Sequence, residues 1–222
     1  MTNAPVASGD RSEGHFDHDF VRQFDRLLRW RRDVRRFTDT PLDEDLLGEL
    51  IAAAELSPSV GNSQPWRWVD VRSPAPRRAV EESFIRCNAE ALAGYGGQRA
   101  QHYSTLKLAG LGEAPVHLAV FCDLDSGQGH GLGRRTMPET LTYSVVTAIT
   151  SFWLAARARD VGVGWISIID PAEVCTALSV PDTWELVAYL CVGYPEREDV
   201  VPELEQSDWQ ARTDPADRYI VR

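Results

Sequence analysis

The sequence has almost no lysine: Lys107 is the one lysine among 23 basic residues, and the other 22 are arginines. Acidic residues outnumber basic ones by 33 to 23, which gives a formal net charge of −10 at pH 7. A negative charge of this size argues against general attraction to nucleic acid or to an anionic membrane. We therefore expect neither as a partner.

Long apolar runs are absent as well. No stretch reaches the roughly 18 apolar residues that a membrane-spanning helix requires. Residues 1–14 are polar and lack the apolar core of a secretory signal, so we expect a flexible tail there and one domain over residues 15–222. The four cysteines are widely spaced and form no CxxC pair, which favours free thiols in the cytoplasm.

Common motifs of metal, nucleotide and acyl-transfer sites are also lacking. His15 and His18 have no clustered cysteine or carboxylate beside them, so we expect no metal site. The alternate glycines of residues 127–133 match neither GxxxxGK[ST] nor a GxGxxG that follows a strand, and they predict a mobile loop. A G-x-S-x-G elbow is missing, which argues against the usual serine hydrolases.

Apolar spacing predicts alternating helices and strands in an α+β or α/β core. The predicted helices are 17–29, 41–57 with Thr40 as N-cap, 75–93, 138–159 ended by Gly162, and 171–178. The predicted strands are 66–71, 116–122, 163–169 and 185–192. The helix at 138–159 is apolar over a broad face, which indicates a central or dimer-facing position. Residues 94–112 contain five glycines and give no clear pattern.

What the sequence does have is a cluster of arginines: Arg29, Arg31, Arg32, Arg35 and Arg36 lie within eight positions. In an extended segment the side chains of Arg31, Asp33 and Arg35 share one face. The two cations then favour an ionised Asp33 that can act as an acceptor or base, while the guanidiniums bind an external anion. A purely structural arginine–aspartate network is the alternative.

The loop from residue 57 to residue 65 is dense in small polar groups. Its hydroxyls, amides and free backbone N–H groups suit a polyhydroxylated or heteroaromatic ligand. An ordinary turn between a helix and a strand is the alternative.

Taken together, these segments resemble the FMN-dependent nitroreductase superfamily. The matching segments are residues 31–37, 57–68, 162–169 and 192–195, and the resemblance spans roughly residues 17–210. Asp33 stands where ordinary members usually carry serine. Residues 106–111 and 164–167 are similar to the flavin-destructase branch, whose members make 5,6-dimethylbenzimidazole, the lower ligand of vitamin B12.

The resemblance implies an α+β fold with a mixed central sheet flanked by helices, in a homodimer with FMN at the subunit interface. It implies that reduced FMN is a substrate, supplied by a separate flavin reductase, and that O2 is the co-substrate. The products are 5,6-dimethylbenzimidazole and erythrose 4-phosphate, and no metal is needed. Residues 94–112 are the candidate lid.

The resemblance also implies the site residues. Asp33 accepts protons and Ser167 donates an orienting hydrogen bond, while the loop of residues 58–64 reaches the flavin from the partner subunit. The implied flavin-binding residues are Arg31, Arg32, Asp33, Val34, Arg35, Pro58, Ser59, Asn62, Gln64, Leu106, Trp165, Ile166, Ser167 and Arg197.

Two other functions stay open at this point. One is a conventional FMN oxidoreductase that reduces quinones or nitroaromatics with NAD(P)H and keeps its flavin intact. The other is a flavin-binding or storage protein without catalysis, in which Asp33 only organises the phosphate site.

Overall fold

A computed structural model describes residues 14–222. The predicted tail of residues 1–14 therefore lies outside the described residues, apart from Gly14. The helices are α1 (His18–Trp30), α2 (Glu44–Ala54), α3 (Pro74–Ala93), α4 (Gly97–Ser104), α5 (Thr140–Arg157), α6 (Pro171–Leu178) and α7 (Glu203–Gln206). The strands are β1 (Trp66–Asp70), β2 (Val116–Asp123), β3 (Gly162–Ile166) and β4 (Trp184–Gly193).

The four strands form one sheet in the order β1-β2-β4-β3, which confirms the α+β class. All neighbouring strands are antiparallel, whereas the sequence predicted a mixed sheet. Within the described residues, parallel pairing occurs only at an isolated bridge between Asp33 and Val163. The chain before α2 thus runs beside the edge strand β3 and extends the sheet by one bridge.

Strand β2 is apolar on both faces because helices cover the sheet on both sides. Leu118 and Val120 point into a cluster with Phe152 of α5. Ala119 and Phe121 point into the opposite cluster. The core therefore lies in two layers on either side of the sheet.

Helix α5 is the central helix, as its broad apolar face predicted, with Val145, Ile149 and Phe152 fully buried. The predicted end of this helix is wrong. It stops at Arg157, and Asp160 takes the left-handed conformation (φ 59°) that turns the chain. Gly162 already belongs to β3.

The start of α2 also differs from the prediction. Asp43, and not Thr40, is the N-cap, and its carboxylate accepts a hydrogen bond of 2.8 Å from the backbone N–H of Asp45. An aspartate oxygen satisfies a free N–H of the first turn as well as a threonine hydroxyl does. Within residues 14–222, no helix is long and apolar enough to cross a bilayer.

Candidate functional site

The arginine segment, residues 31–36, lies directly against β3. The backbone N–H of Val34 donates to the carbonyl oxygen of Val163 over 3.0 Å. A Cβ on Gly164 would lie 2.1 Å from the carbonyl oxygen of Val34, so only glycine allows this approach. The glycines around Val163 are therefore explained by the close approach of the arginine segment.

Asp33 is held by both of its carboxylate oxygens. Oδ1 accepts from the backbone N–H of Trp165 at 2.9 Å, and Oδ2 accepts from Nε of Arg35 at 2.8 Å. The Arg35 side chain is 13% exposed and that of Asp33 is 31% exposed. The predicted pairing of Asp33 with a neighbouring arginine is thus confirmed for Arg35.

Arg31 interacts differently. Its guanidinium lies 5.0 Å from the centre of the Trp153 ring, a cation–π geometry. Burial lowers the pKa of Arg31, the charge of Asp33 opposes this shift, and the charge of Arg212 adds to it. The charge of Asp33 thus acts on Arg31, although the two side chains form no ion pair.

Arg32 extends toward the C-terminal part of the chain. Its Nε donates to the carbonyl oxygen of Val200 over 2.7 Å. The carbonyl oxygen of Arg32 in turn accepts from the indole N–H of Trp153 at 3.2 Å. Burial, followed by repulsion from Arg212, lowers the pKa of Arg32. The side chains of Arg31, Arg32 and Arg212 therefore lie close enough to repel one another, and the carboxylates of Asp33, Asp199 and Glu205 offset part of this repulsion.

Two adjoining cavities open beside this segment, and we call them together the arginine cavity. The residues that line both are Arg35, Arg36, Arg197, Glu203 and Gln206. Val34 lines one cavity, and Leu106 and Lys107 line the other. The predicted residues Val34, Arg35, Leu106 and Arg197 are thus brought together.

The candidate lid is anchored to this cavity at Arg35, whose Nη1 donates to the carbonyl oxygen of Lys107 over 2.9 Å. This candidate lid is residues 94–112, for which the sequence predicted no clear element, and it contains α4 followed by a coil. An aromatic cluster holds α4 against the C-terminal region, with Trp209 centred 6.0 Å from Tyr103 and 5.7 Å from Tyr95.

Ser167 lies just beyond the end of β3. The predicted strand was too long, because β3 ends at Ile166 and Ser167 is exposed. In an extended chain, Ser167 is about 7 Å from Trp165 and on the same face. Since Asp33 is bonded to the Trp165 N–H, Ser167 and Asp33 lie at the same end of β3.

The polar loop packs on the first half of α5. The carbonyl oxygen of Pro58 accepts from Thr147 at 3.0 Å, and the backbone N–H of Val60 donates to Ser144 at 3.0 Å. Ser144 lies about 13 Å along the helix axis from Trp153, which contacts the arginine segment.

The polar side chains of this loop are arranged around its own turn. Ser59 accepts from the Gln64 backbone N–H at 3.0 Å, and Gln64 and Asn62 both have positive φ. Gln128 donates to Gln64 over 2.9 Å. Within one chain the structure therefore does not bring Ser59, Asn62 and Gln64 to the arginine cavity.

Sequence reasoning missed three residues of this site: Trp153, Glu203 and Arg212. Trp153 counted only as part of an apolar helix face, and the other two lie in a C-terminal segment without a motif. Their contacts with the arginine segment cross more than a hundred positions, as in the hydrogen bond between Trp153 and Arg32. No local pattern marks such a contact.

Comparison with known proteins identifies the class. The model of the Nitroreductase family matches residues 28–194, so the chain belongs to this family. A solved structure of iodotyrosine deiodinase bound to FMN and 3-iodo-L-tyrosine has the same fold, with a TM-score of 0.69 at 23% identity. The match covers 89% of this chain and 97% of that one.

More similar relatives are 5,6-dimethylbenzimidazole synthases. The protein of that name from Rhodospirillum rubrum is 55% identical over 197 residues, which cover 89% of this chain and 93% of the relative. One from Rhodobacter capsulatus is 47% identical over 184 residues, covering 83% of this chain and 89% of the relative.

Proposed function

We propose that the protein is a 5,6-dimethylbenzimidazole synthase, which uses O2 to fragment reduced FMN and releases erythrose 4-phosphate. The observation that carries this proposal is Asp33, a carboxylate fixed by Arg35 and the Trp165 N–H beside an arginine-lined cavity. The name shared by relatives of 45–55% identity supports the same activity.

The charges of the site suit a phosphorylated ligand. Arg31 and Arg32 have lowered pKa values, caused first by burial, and repulsion from Arg212 contributes to both. A bound phosphate relieves that repulsion and accepts paired hydrogen bonds from guanidinium groups. We assign Arg31, Arg35 and Arg197 to the phosphate and ribityl chain, with Arg32 and Arg36 supporting them.

The ring system of the ligand is assigned to the end of β3. In this assignment Trp165, Ile166 and Ser167 contact the ring system from one side, and Val34 and Leu106 contact it from the other. Reduced FMN supplies the aromatic ring that becomes 5,6-dimethylbenzimidazole and the electrons that O2 accepts. Residues 94–112 exclude water while the ligand is bound, because Arg35 and Trp209 hold them against the site.

Asp33 is assigned as the proton acceptor for hydroxyl groups of the ribityl chain. Both carboxylate oxygens are already oriented, so no reorganisation is needed when a hydroxyl approaches. Ser167, exposed at the same end of β3, is assigned as a hydrogen-bond donor that orients the ligand.

We also propose that the protein is a homodimer and that residues 15–222 form one functional domain. The loop carrying Pro58, Ser59, Asn62 and Gln64 completes the site from the partner subunit, since it lies far from the arginine cavity of its own chain. Helix α1 buries no residue and exposes Phe20 and Phe24, which a second chain can cover.

Light scattering should give twice the 24.8 kDa of one chain, and a monomer at all concentrations contradicts the dimer.

The thiols fit a reducing compartment, and we propose the cytoplasm. All four cysteines are free, and burial raises the pKa of Cys122 to about 11 and of Cys191 to about 12. Such thiols are poor nucleophiles and have no role in the proposed reaction.

The test supplies the purified protein with FMN, a separate flavin reductase, NADH and air, and separates the products by chromatography. We expect 5,6-dimethylbenzimidazole to accumulate as FMN disappears. NADH oxidation without the added reductase, with FMN conserved, would instead identify a conventional oxidoreductase. Conserved FMN with neither activity would identify a flavin-binding protein.

A further inference from the structure

A segment after β4, residues 199–209, crosses the arginine cavity, and we call it the C-terminal strap. At one end the Val200 carbonyl oxygen accepts from Nε of Arg32 at 2.7 Å. At the other end the Ser207 carbonyl oxygen lies 2.5 Å from Nε2 of His102, and Trp209 packs in the aromatic cluster. The strap is therefore fixed on both sides of the cavity.

Between these two anchors the strap places one carboxylate in the cavity. Oε1 of Glu203 lies 3.3 Å from Nη2 of Arg36 and 3.6 Å from Nη2 of Arg197. The Glu203 side chain is 24% exposed, whereas the Arg197 side chain is 59% exposed. A single carboxylate oxygen thus bridges two guanidinium groups that come from distant parts of the chain.

The other cations of the cavity have partners elsewhere. Arg35 pairs with Asp33 at 2.8 Å, and Lys107 pairs with Glu113 at 2.5 Å. Among the described side chains, Glu203 is the only carboxylate within ion-pair distance of Arg36 or Arg197. Without Glu203, these two guanidiniums are therefore free to bind an external anion.

Two guanidiniums that converge on one oxygen have the geometry for binding a phosphate group. A phosphate and the Glu203 carboxylate are both anions and cannot share this position, because they repel each other. A ligand phosphate carries between one and two negative charges, so it pairs with two cations more strongly than one carboxylate does. Binding of the phosphate then requires that Glu203 leave.

We propose that Glu203 is an internal competitor for the phosphate group of the ligand, held by the strap between Arg36 and Arg197. This proposal rests on the proposed function, because it takes the phosphate to be that of FMN or of the phosphorylated product. Glu203 neutralises the two guanidiniums when no phosphate is present and weakens phosphate binding. It thereby favours release of the small phosphorylated sugar, which has no aromatic ring to hold it.

Glu203→Gln tests this directly, because glutamine keeps the shape and removes the charge. We expect the dissociation constant for FMN, measured by quenching of flavin fluorescence, to fall about three- to tenfold, because the variant loses the two ion pairs that compete with the phosphate. The dissociation constant for riboflavin, which lacks the phosphate, should not change. Inorganic phosphate, titrated by calorimetry, should also bind more tightly to the variant.

The matched control is Glu196→Gln, which removes the same charge from an exposed side chain nearby. It should leave the ratio of the FMN and riboflavin constants unchanged. Glu203→Ala gives a second variant without the carboxylate if the glutamine variant does not fold. Weaker or unchanged FMN binding by Glu203 variants, or an equal change for riboflavin, overturns the proposal.

These binding measurements do not depend on catalysis. The proposed role of Glu203 and the proposed reaction can therefore be tested independently. If FMN binds and the Glu203 variants do not change its affinity, only the competitor proposal fails. If FMN binds more tightly to the variants but no 5,6-dimethylbenzimidazole forms, only the proposed reaction fails.

Discussion

The backbone N–H of Trp165 donates to Oδ1 of Asp33 over 2.9 Å, across 132 positions of the sequence. This bond ties the arginine segment to the end of β3, where Ser167 follows. It exists because Gly164 lets the chain at Val34 approach the strand. The position of the proposed proton acceptor therefore depends on a glycine that carries no chemistry itself.

Asp33→Asn should abolish formation of 5,6-dimethylbenzimidazole from reduced FMN and O2, because an amide is a poor proton acceptor. We expect a loss of at least about a hundredfold, typical of a general base. Product is measured by chromatography and flavin binding by fluorescence. Asp39→Asn, at an exposed residue outside the site, should keep full activity. Product formation by Asp33→Asn near the wild-type rate contradicts the assigned role.

Ser167→Gly should retain binding of reduced flavin but lose most of the product, since the hydroxyl orients the ligand and carries no packing. Binding is measured anaerobically, and product after admission of air. Ser73→Gly is the control, because Ser73 is exposed at the start of α3 and makes no side-chain cap. Unimpaired turnover by Ser167→Gly would reject this assignment.

Gly164→Ala should destabilise the fold and disturb the site together. The new Cβ would lie 2.1 Å from the Val34 carbonyl oxygen, so the arginine segment must move. We expect a loss of about 1–3 kcal/mol in the free energy of unfolding, the usual cost of overpacking. Denaturant unfolding measures it, and flavin binding should weaken as well.

Gly48→Ala is the opposite case and serves as the control for that variant. Gly48 lies in α2, is exposed, and has no atom within 4 Å of an added Cβ. Alanine there should stabilise the protein by up to about 1 kcal/mol. A Gly164→Ala protein as stable as wild type would contradict the close approach.

Acid should destabilise the fold through His117, which is fully buried with Nδ1 3.0 Å from the Tyr189 hydroxyl. Burial, aided by Arg77, lowers the pKa of His117 to about 4. The unfolded chain binds this proton near pH 6.5 while the folded chain does not, so stability falls as pH drops from 6.5 toward 4. The loss is at most about 3 kcal/mol.

Unfolding free energies measured in this pH range check the prediction. His117→Gln should be less stable at pH 7 but should lack this part of the pH dependence. His130→Gln, at an exposed histidine, should keep it. The same slope in His117→Gln and wild type would show that another group is responsible.

Local signals in the sequence predicted much of the fold. Helix α6 matches its prediction because Asp170 caps it and Pro171 opens it. Alternation in the arginine segment correctly paired Arg35 with Asp33. Arg31 interacts with the charge of Asp33 but forms no ion pair with it, because its guanidinium lies over the ring of Trp153, and no local pattern indicates this contact.

The strap shows most clearly what sequence reasoning cannot reach. Arg36 and Glu203 pair across 167 positions, and neither residue has a neighbour that signals the other. Such contacts follow from the packing of β3, α5 and the segment after β4. They appear only once the chain is folded.

The fate of the flavin distinguishes fragmentation of reduced FMN from its ordinary reoxidation. Stoichiometric reduced FMN, prepared without a reductase, is mixed with the protein and exposed to air, and the visible absorbance and the products are followed. We predict that the absorbance of oxidised FMN does not return and that 5,6-dimethylbenzimidazole forms in matching amount. Complete return of oxidised FMN, with no smaller aromatic product, would contradict the proposed function.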